Sequence, residues 1–236
     1  MNRRWMTAVL TAFMCAHGAS LWARGTGSHE LPHAFPREGA TQVFDNSWIT
    51  AWDDTWIPNK PTAMHRHLYD YFGVELTDSR TRLLEPDSQS RTLSLRRGQS
   101  WFLAKGATHL EIGLSTHPPR RAILLDLKDT PSPLYENATR FSGGVPADGA
   151  LKVVDNQRVI MWDRTWDAGL TVPLHFYERN VFVIFVDGGE LMVTTPDEPP
   201  QVSSFATGQV LFLSGGHARA LQATKVAVRA IVVELK

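Results

Sequence analysis

The sequence is poor in several features, and each shortage excludes something. Its 236 residues contain one cysteine, Cys15, which lies in an apolar stretch expected to be removed. The finished protein is then expected to have no disulfide, no zinc-thiolate site and no cysteine nucleophile. Any metal would have to be held by His, carboxylates or Tyr. Charge of either sign is not in excess: 24 Lys and Arg balance 24 Asp and Glu. These charges are scattered, so neither a nucleic-acid-binding patch nor an acidic solvating tail is expected. The longest apolar stretch, Trp5 to Ala16, is too short to cross a bilayer comfortably, and no long apolar pattern recurs at the helical period.

What is present begins at the N-terminus. Asn2-Arg3-Arg4 is a short basic segment, followed by the apolar stretch and then by small residues at Gly18, Ala19, Ser20 and Ala23. That order is the layout of a secretory signal peptide. Residues 1–23 are expected to be cleaved, leaving a periplasmic or secreted protein with no membrane attachment.

Beyond this leader the chain repeats itself. Asp45-Asn46 recurs as Asp155-Asn156, and Trp52-Asp53-x-Thr55-Trp56 recurs as Trp162-Asp163-x-Thr165-Trp166. His65 recurs as His175, and Gly98-Gln99 with Phe102-Leu103 recurs as Gly208-Gln209 with Phe212-Leu213, all 110 residues on. After a two-residue loss the offset becomes 108, so that His109 matches His217 and Leu127-Lys128 matches Leu235-Lys236. A colinear set of this kind marks a tandem duplication. The copies are placed at residues 43–128 and 153–236, with a loose arm at 24–42 and a Pro/Gly/Ser-rich linker at 129–152. Within each copy, short stretches rich in branched and aromatic residues, such as Val181–Val186, are bounded by turn signals such as Asp187-Gly188-Gly189. An all-β sandwich or closed barrel is expected.

His65-x-His67 is the sharpest local signal. Residues two apart on a strand share a face, so both imidazoles project into one interior. His109 offers a third ring from another strand. The repeated Trp-Asp-x-Thr-Trp is expected to pack a barrel end, the alternative being an aromatic-lined pocket. Lys105 and Glu111 flank His109 and read equally well as substrate-orienting groups or as surface charges.

These motifs resemble those of the cupins. Gly98, Ala104, Gly106, His109 and Gly113 follow the spacing of the second cupin motif, with Ala104 in a Pro position and Gly113 in an Asn position. Asn59, His65, His67 and then Tyr71 or Phe72 follow the first motif, with Tyr71 or Phe72 standing where that motif has a ligating Glu. The second copy runs Gly169, His175, Phe176, Tyr177 and later Gly208 to His217, so one ligand position has become Tyr177. The resemblance therefore implies a bicupin, two tandem jelly-roll barrels. Its first barrel would hold one divalent transition metal (Fe, Zn, Mn, Ni or Cu) on His65, His67 and His109, as in the thiol-dioxygenase branch. The degenerate second site (His175, Tyr177, His217) is expected to be weak or empty. By strand alternation Tyr71 and Glu75 share the histidine face and are candidates for proton handling, for a fourth ligand or for supporting the ligands, while Asp70 points away unless the strand bulges. The implied activity is that of a metalloenzyme of dioxygenase, isomerase or lyase type acting on a small organic molecule, the alternative being a non-catalytic binding or sensing protein. Many cupins dimerise through edge strands, and the sequence leaves a homodimer open.

Overall fold

The structure is a computed structural model that describes residues 30–146 and 149–236. It is built entirely from strands and loops. The expected leader at residues 1–23 lies outside the described residues. Among these residues no helix is long and apolar enough to cross a membrane.

The first barrel uses β1 (Ala40–Asp45), β2 (Ile49–Thr55), β3 (His65–Arg66), β4 (Asp70–Glu75), β5 (Ser79–Leu84), β6 (Ser90–Leu95), β7 (Ser100–Leu103), β8 (Thr108–Gly113) and β9 (Arg121–Leu127). One sheet runs β1-β2-β9-β4-β7 and faces a second of order β3-β8-β5-β6. The second barrel repeats the arrangement with β10 (Ser142–Gly143), β11 (Ala150–Asp155), β12 (Val159–Trp166), β13 (His175–Tyr177), β14 (Val181–Asp187), β15 (Gly189–Thr194), β16 (Gln201–Phe205), β17 (Val210–Leu213), β18 (His217–Ala223) and β19 (Val228–Leu235). Its sheets run β11-β12-β19-β14-β17 and β10-β13-β18-β15-β16. This is the pair of tandem jelly rolls that the cupin resemblance implied.

The central strands of the sheets β1-β2-β9-β4-β7 and β11-β12-β19-β14-β17 are buried on both faces, which explains their composition. On β9, Ala122 and Leu124 point into the first barrel, whereas Ile123, Leu125 and Leu127 point out of it. The outward set packs with Phe72 and Val74 against Phe182, Ile184, Ile231 and Val233 of the second barrel. Strands covered on both sides lose the apolar-polar alternation and read as continuous apolar runs, as Val181–Val186 does. Phe44 and Trp48 cap this seam by stacking on Phe212 at 5.6 and 6.0 Å. Arg158 of the second barrel reaches Asp70 of the first at 3.0 Å, and Arg97 of the first reaches Asp187 of the second.

The described parts of the expected loose arm and of the linker both carry segments packed against a barrel; residues 24–29 of the arm lie outside the described residues. The repeat extends further upstream than the strands suggested: Pro36-x-x-Gly39-Ala40 recurs as Pro146-x-x-Gly149-Ala150. Each segment enters its own barrel along the same path. His33 bridges in parallel to Arg66, and Gly143 pairs in parallel with Phe176, 110 residues on in both partners. The Gly39 carbonyl accepts from the Thr55 amide at 2.9 Å, and the Gly149 carbonyl from the Thr165 amide at 3.0 Å. Both glycines have positive φ, 86° and 71°, a conformation that side chains resist. The end of the arm and the end of the linker are thus equivalent plugs. Phe35 stacks on Trp52 at 4.9 Å and 12°, and Val145 joins the second core.

Candidate metal centre

His65 on β3 sits directly opposite His109 on β8 in the antiparallel register, and His67 follows one pleat later. Alternation turns all three rings inward, where each is buried. Ring centroids lie 4.8 to 5.2 Å apart, and one nitrogen from each ring falls within 4.8 Å of the others. His65 Nδ1–H donates to the Ala63 carbonyl at 2.9 Å. A carbonyl only accepts, so this bond fixes the tautomer and leaves the Nε2 lone pair pointing into the barrel. His65 Nε2 and both nitrogens of His67 are buried without a hydrogen-bond partner. Buried polar atoms are normally paired, and a cluster of unpaired imidazole nitrogens is the donor set a transition ion takes. The residues therefore fit the metal that the motif implied.

Burial also sets the protonation of these rings. Desolvation lowers His65 to about 4 and His67 to about 2, and pulls His109 down as well. All three are neutral at physiological pH, the form in which imidazole coordinates.

Tyr71 lies face to face with His67, centroids 3.5 Å apart and planes 1° from parallel. Burial raises its phenol well above the ordinary value, so it stays protonated. Glu75 also points inward as alternation predicted, but both of its oxygens are engaged. Arg120 grips them at 3.1 and 2.7 Å, and Trp101 Nε1 donates to one at 3.0 Å. Glu75 therefore stands as a counter-charge for Arg120. Asp70 points away, accepting from the Lys105 amide and pairing with Arg158.

Around the trio stand Glu111, which the sequence leaves open between a substrate-orienting group and a surface charge, and several groups that it does not single out. Glu111 is buried, and accepts from Arg120 at 2.9 Å, Trp56 Nε1 at 3.1 Å and Arg37 at 3.3 Å. Burial opposes its ionisation, but Arg120 and Arg37 overcome this and hold the carboxyl below its ordinary range. Arg37 also pairs with the buried Asp54. Lys105, its supposed equal, is a surface residue paired with Asp129. Asp126 accepts from Trp52 Nε1 and holds His33, each at 3.2 Å, and the His33 ring stands edge-on to His67 at 6.3 Å. Asp54 was within reach of a period-two reading of Trp52-Asp53-Asp54-Thr55-Trp56. Arg37 and His33 were not, since nothing local says that the arm enters the barrel. A cavity of about 320 Å³ opens beside His65, walled by Arg37, Trp56 and Lys60.

The second barrel keeps pieces of this design without the convergence. His175 Nδ1 bonds the Pro173 carbonyl at 2.9 Å, as His65 bonds Ala63. Tyr177 is buried in an apolar core, its phenol pushed up to about 12 by desolvation, and His217 is exposed. Among the described residues His65, His67 and His109 form the sole cluster with metal-binding spacing.

Two jelly-roll barrels in tandem, one with three imidazoles converging in its interior, define a bicupin. No family model matches the sequence. The β-alanine degradation protein BauB of Pseudomonas aeruginosa is 35% identical over 82 residues, which span 35% of this chain and 85% of that protein. The chain belongs to the cupin superfamily. Among solved structures it is similar to a cupin 2 conserved barrel domain protein from Leptotrichia buccalis (TM-score 0.54, 11% identity, 84% of this chain and 88% of that one). It is also similar to a variant of the Bacillus subtilis oxalate decarboxylase OxdC (0.60, 9%, 84% and 72%). A formate complex of Lactobacillus farciminis oxalate decarboxylase gives 0.57, 12%, 85% and 82%. At these identities the likeness is one of fold.

Proposed function

We propose that this chain is an exported, mononuclear metal-binding bicupin whose first barrel transforms a small organic molecule. The observation that carries the reading is the trio itself: three buried imidazoles, nitrogens within 4.8 Å, with unpaired lone pairs inside a closed barrel. His65, His67 and His109 would hold the ion. A divalent transition metal on three neutral nitrogens supplies a Lewis-acid centre suited to oxygenation, isomerisation or lyase chemistry.

The chain's own residues supply the surroundings. Phe35 and Trp52 close one side of the barrel against water. Tyr71 fixes the plane of His67 and carries a phenolic proton into the site. Arg37 borders the adjoining cavity, whose size suits a small metabolite rather than a polymer. Elemental analysis of the full chain purified from its native compartment, combined with oxygen uptake against small organic acids and thiols, tests this reading. One equivalent of transition metal with turnover supports it, and metal-free protein overturns it.

A second reading, ligand binding without turnover, draws on Glu75. With both of its oxygens engaged by Arg120 and Trp101, it offers no free base beside the trio. Metal occupancy with ligand-induced stabilisation but no product would favour that reading. Export belongs to the proposal as well: the mature chain from a periplasmic extract is expected to lack residues 1–23, and an intact N-terminus there would refute it.

A further inference from the structure

The second barrel changes the charges of the first in a consistent direction. At the positions of Glu75, Glu111 and Arg120 stand Phe185, Arg219 and Val228, and Trp101 has become Leu211. In the first copy a buried guanidinium is neutralised by two carboxylates. In the second copy both acids are gone and the guanidinium moves: Arg219 takes the Glu111 position, and a second buried one, Arg164, takes that of Asp54 and donates to the Pro146 carbonyl. The Arg219 guanidinium donates to the Ser214 carbonyl at 2.7 Å and to its hydroxyl at 3.5 Å. Among the described residues no carboxylate lies within ion-pair distance of it. Burial strips its hydration, which lowers its pKa from the ordinary value, a cost that an incoming anion would offset.

Arg219 lines an open cleft of about 660 Å³, within the range of small-molecule sites. Part of the wall is apolar, formed by Val193, Leu211, Leu213 and Phe205, the last held by stacking on Phe185 at 4.1 Å, and Gln201 and Ser203 add polar groups. His217 adds a polar group at the rim. So does Glu198, whose carboxylate accepts from Thr195 Oγ1 at 2.9 Å. One guanidinium facing one rim carboxylate favours a singly charged ligand over a dianion. We propose that the second barrel is a metal-independent binding site for a small organic monocarboxylate, its charge on Arg219 and its apolar body between Phe205, Leu211 and Leu213. This site stands apart from the reading of the first barrel and holds whether or not that barrel binds metal.

Calorimetric titration of the full chain with benzoate, with benzamide as its neutral isostere, tests the proposal. Benzoate is expected to bind at least about tenfold more tightly than benzamide, the scale of a charge-assisted pair. Its affinity should be the same in wild type and in His65→Ala. Arg219→Gln should weaken it at least about tenfold. Leu211→Trp, which installs the first copy's residue and fills the cleft, should abolish binding while leaving the metal content of the first barrel unchanged; should Arg219→Gln fail to fold, Leu211→Trp alone decides. Equal binding of the two probes, no binding at about 10 mM, an unaffected Arg219→Gln or Leu211→Trp, or loss of benzoate in His65→Ala would each overturn the assignment. Displacement of benzoate by an equal concentration of inorganic phosphate would overturn the preference for a monocarboxylate.

Discussion

Single side chains decide the chemistry of the first barrel, chiefly through what surrounds them. His65, His67 and His109 are neutral because burial removes the water that would stabilise their charged form. Removing any one ring breaks the cluster, so His65→Ala or His109→Ala should eliminate metal that survives gel filtration, measured by plasma emission. His175→Ala should leave the content at one equivalent per chain, because His217 is exposed and Tyr177 faces an apolar core. The buried Arg120 holds two carboxylates together. Arg120→Met leaves buried Glu75 with no counter-charge and Glu111 with Arg37 alone, and should lower stability by about 3–5 kcal/mol in denaturant titrations.

Glu234 gives a pH signature in the second barrel. Burial raises its carboxyl, although Trp162 Nε1 donates to it at 2.7 Å. The folded state then takes the proton more readily than the unfolded chain. Stability is fully present below the ordinary Glu value and is lost as pH rises through the raised one. Glu234→Gln keeps an acceptor for Trp162 and removes that loss. Its melting temperature should exceed wild type at pH 7 and match it at pH 4, and a constant difference across that range would refute the assignment.

At the scale of elements, the segment before β1 contributes most to the site. It crosses the barrel opening and brings Phe35 onto Trp52, Arg37 onto Asp54 and His33 onto Asp126. None of these contacts is local in sequence. A loose arm would tolerate truncation at Phe35 within about 0.5 kcal/mol, whereas the packed segment seen here should lose about 3 kcal/mol in Phe35→Ala. Chemical denaturation separates the two cases. The recurrence of Pro36-x-x-Gly39-Ala40 before β11 shows why the segment belongs to the fold: each barrel carries its own plug, and the second enters from the stretch that reads as a linker.

In the whole molecule the two barrels share one apolar seam, formed by the outer faces of the sheets β1-β2-β9-β4-β7 and β11-β12-β19-β14-β17. A barrel expressed alone would expose Phe72, Val74, Ile123 and Leu125, or Phe182, Ile184, Ile231 and Val233. Unfolding should therefore follow a single transition. Phe72→Ala and Phe182→Ala, from opposite sides of the seam, should each move that same transition by about 3–5 kcal/mol. Two resolved steps in calorimetry would show that the barrels are independent.

The sequence by itself determined the duplication, the all-β class and the inward aim of His65, His67 and His109. All three rest on short-range or strictly periodic information: repeated motifs, strand-forming composition, and side chains that alternate along a strand. Asp70 was turned away from the trio and Tyr71 turned toward it by the same rule. Tertiary structure alone decided which partners meet. Alternation turns Glu75 inward and the sequence leaves Glu111 open, yet both are counter-charges because Arg120, the residue before β9, is delivered between them. Arg37 and His33 reach the site only because the arm folds over the barrel. The continuous apolar strands conceal the boundary between interior and seam, since burying both faces erases the alternation that would mark it. Contacts between distant segments depend on how sheets close and pack, and a periodic pattern along one strand carries no information about what stands opposite it.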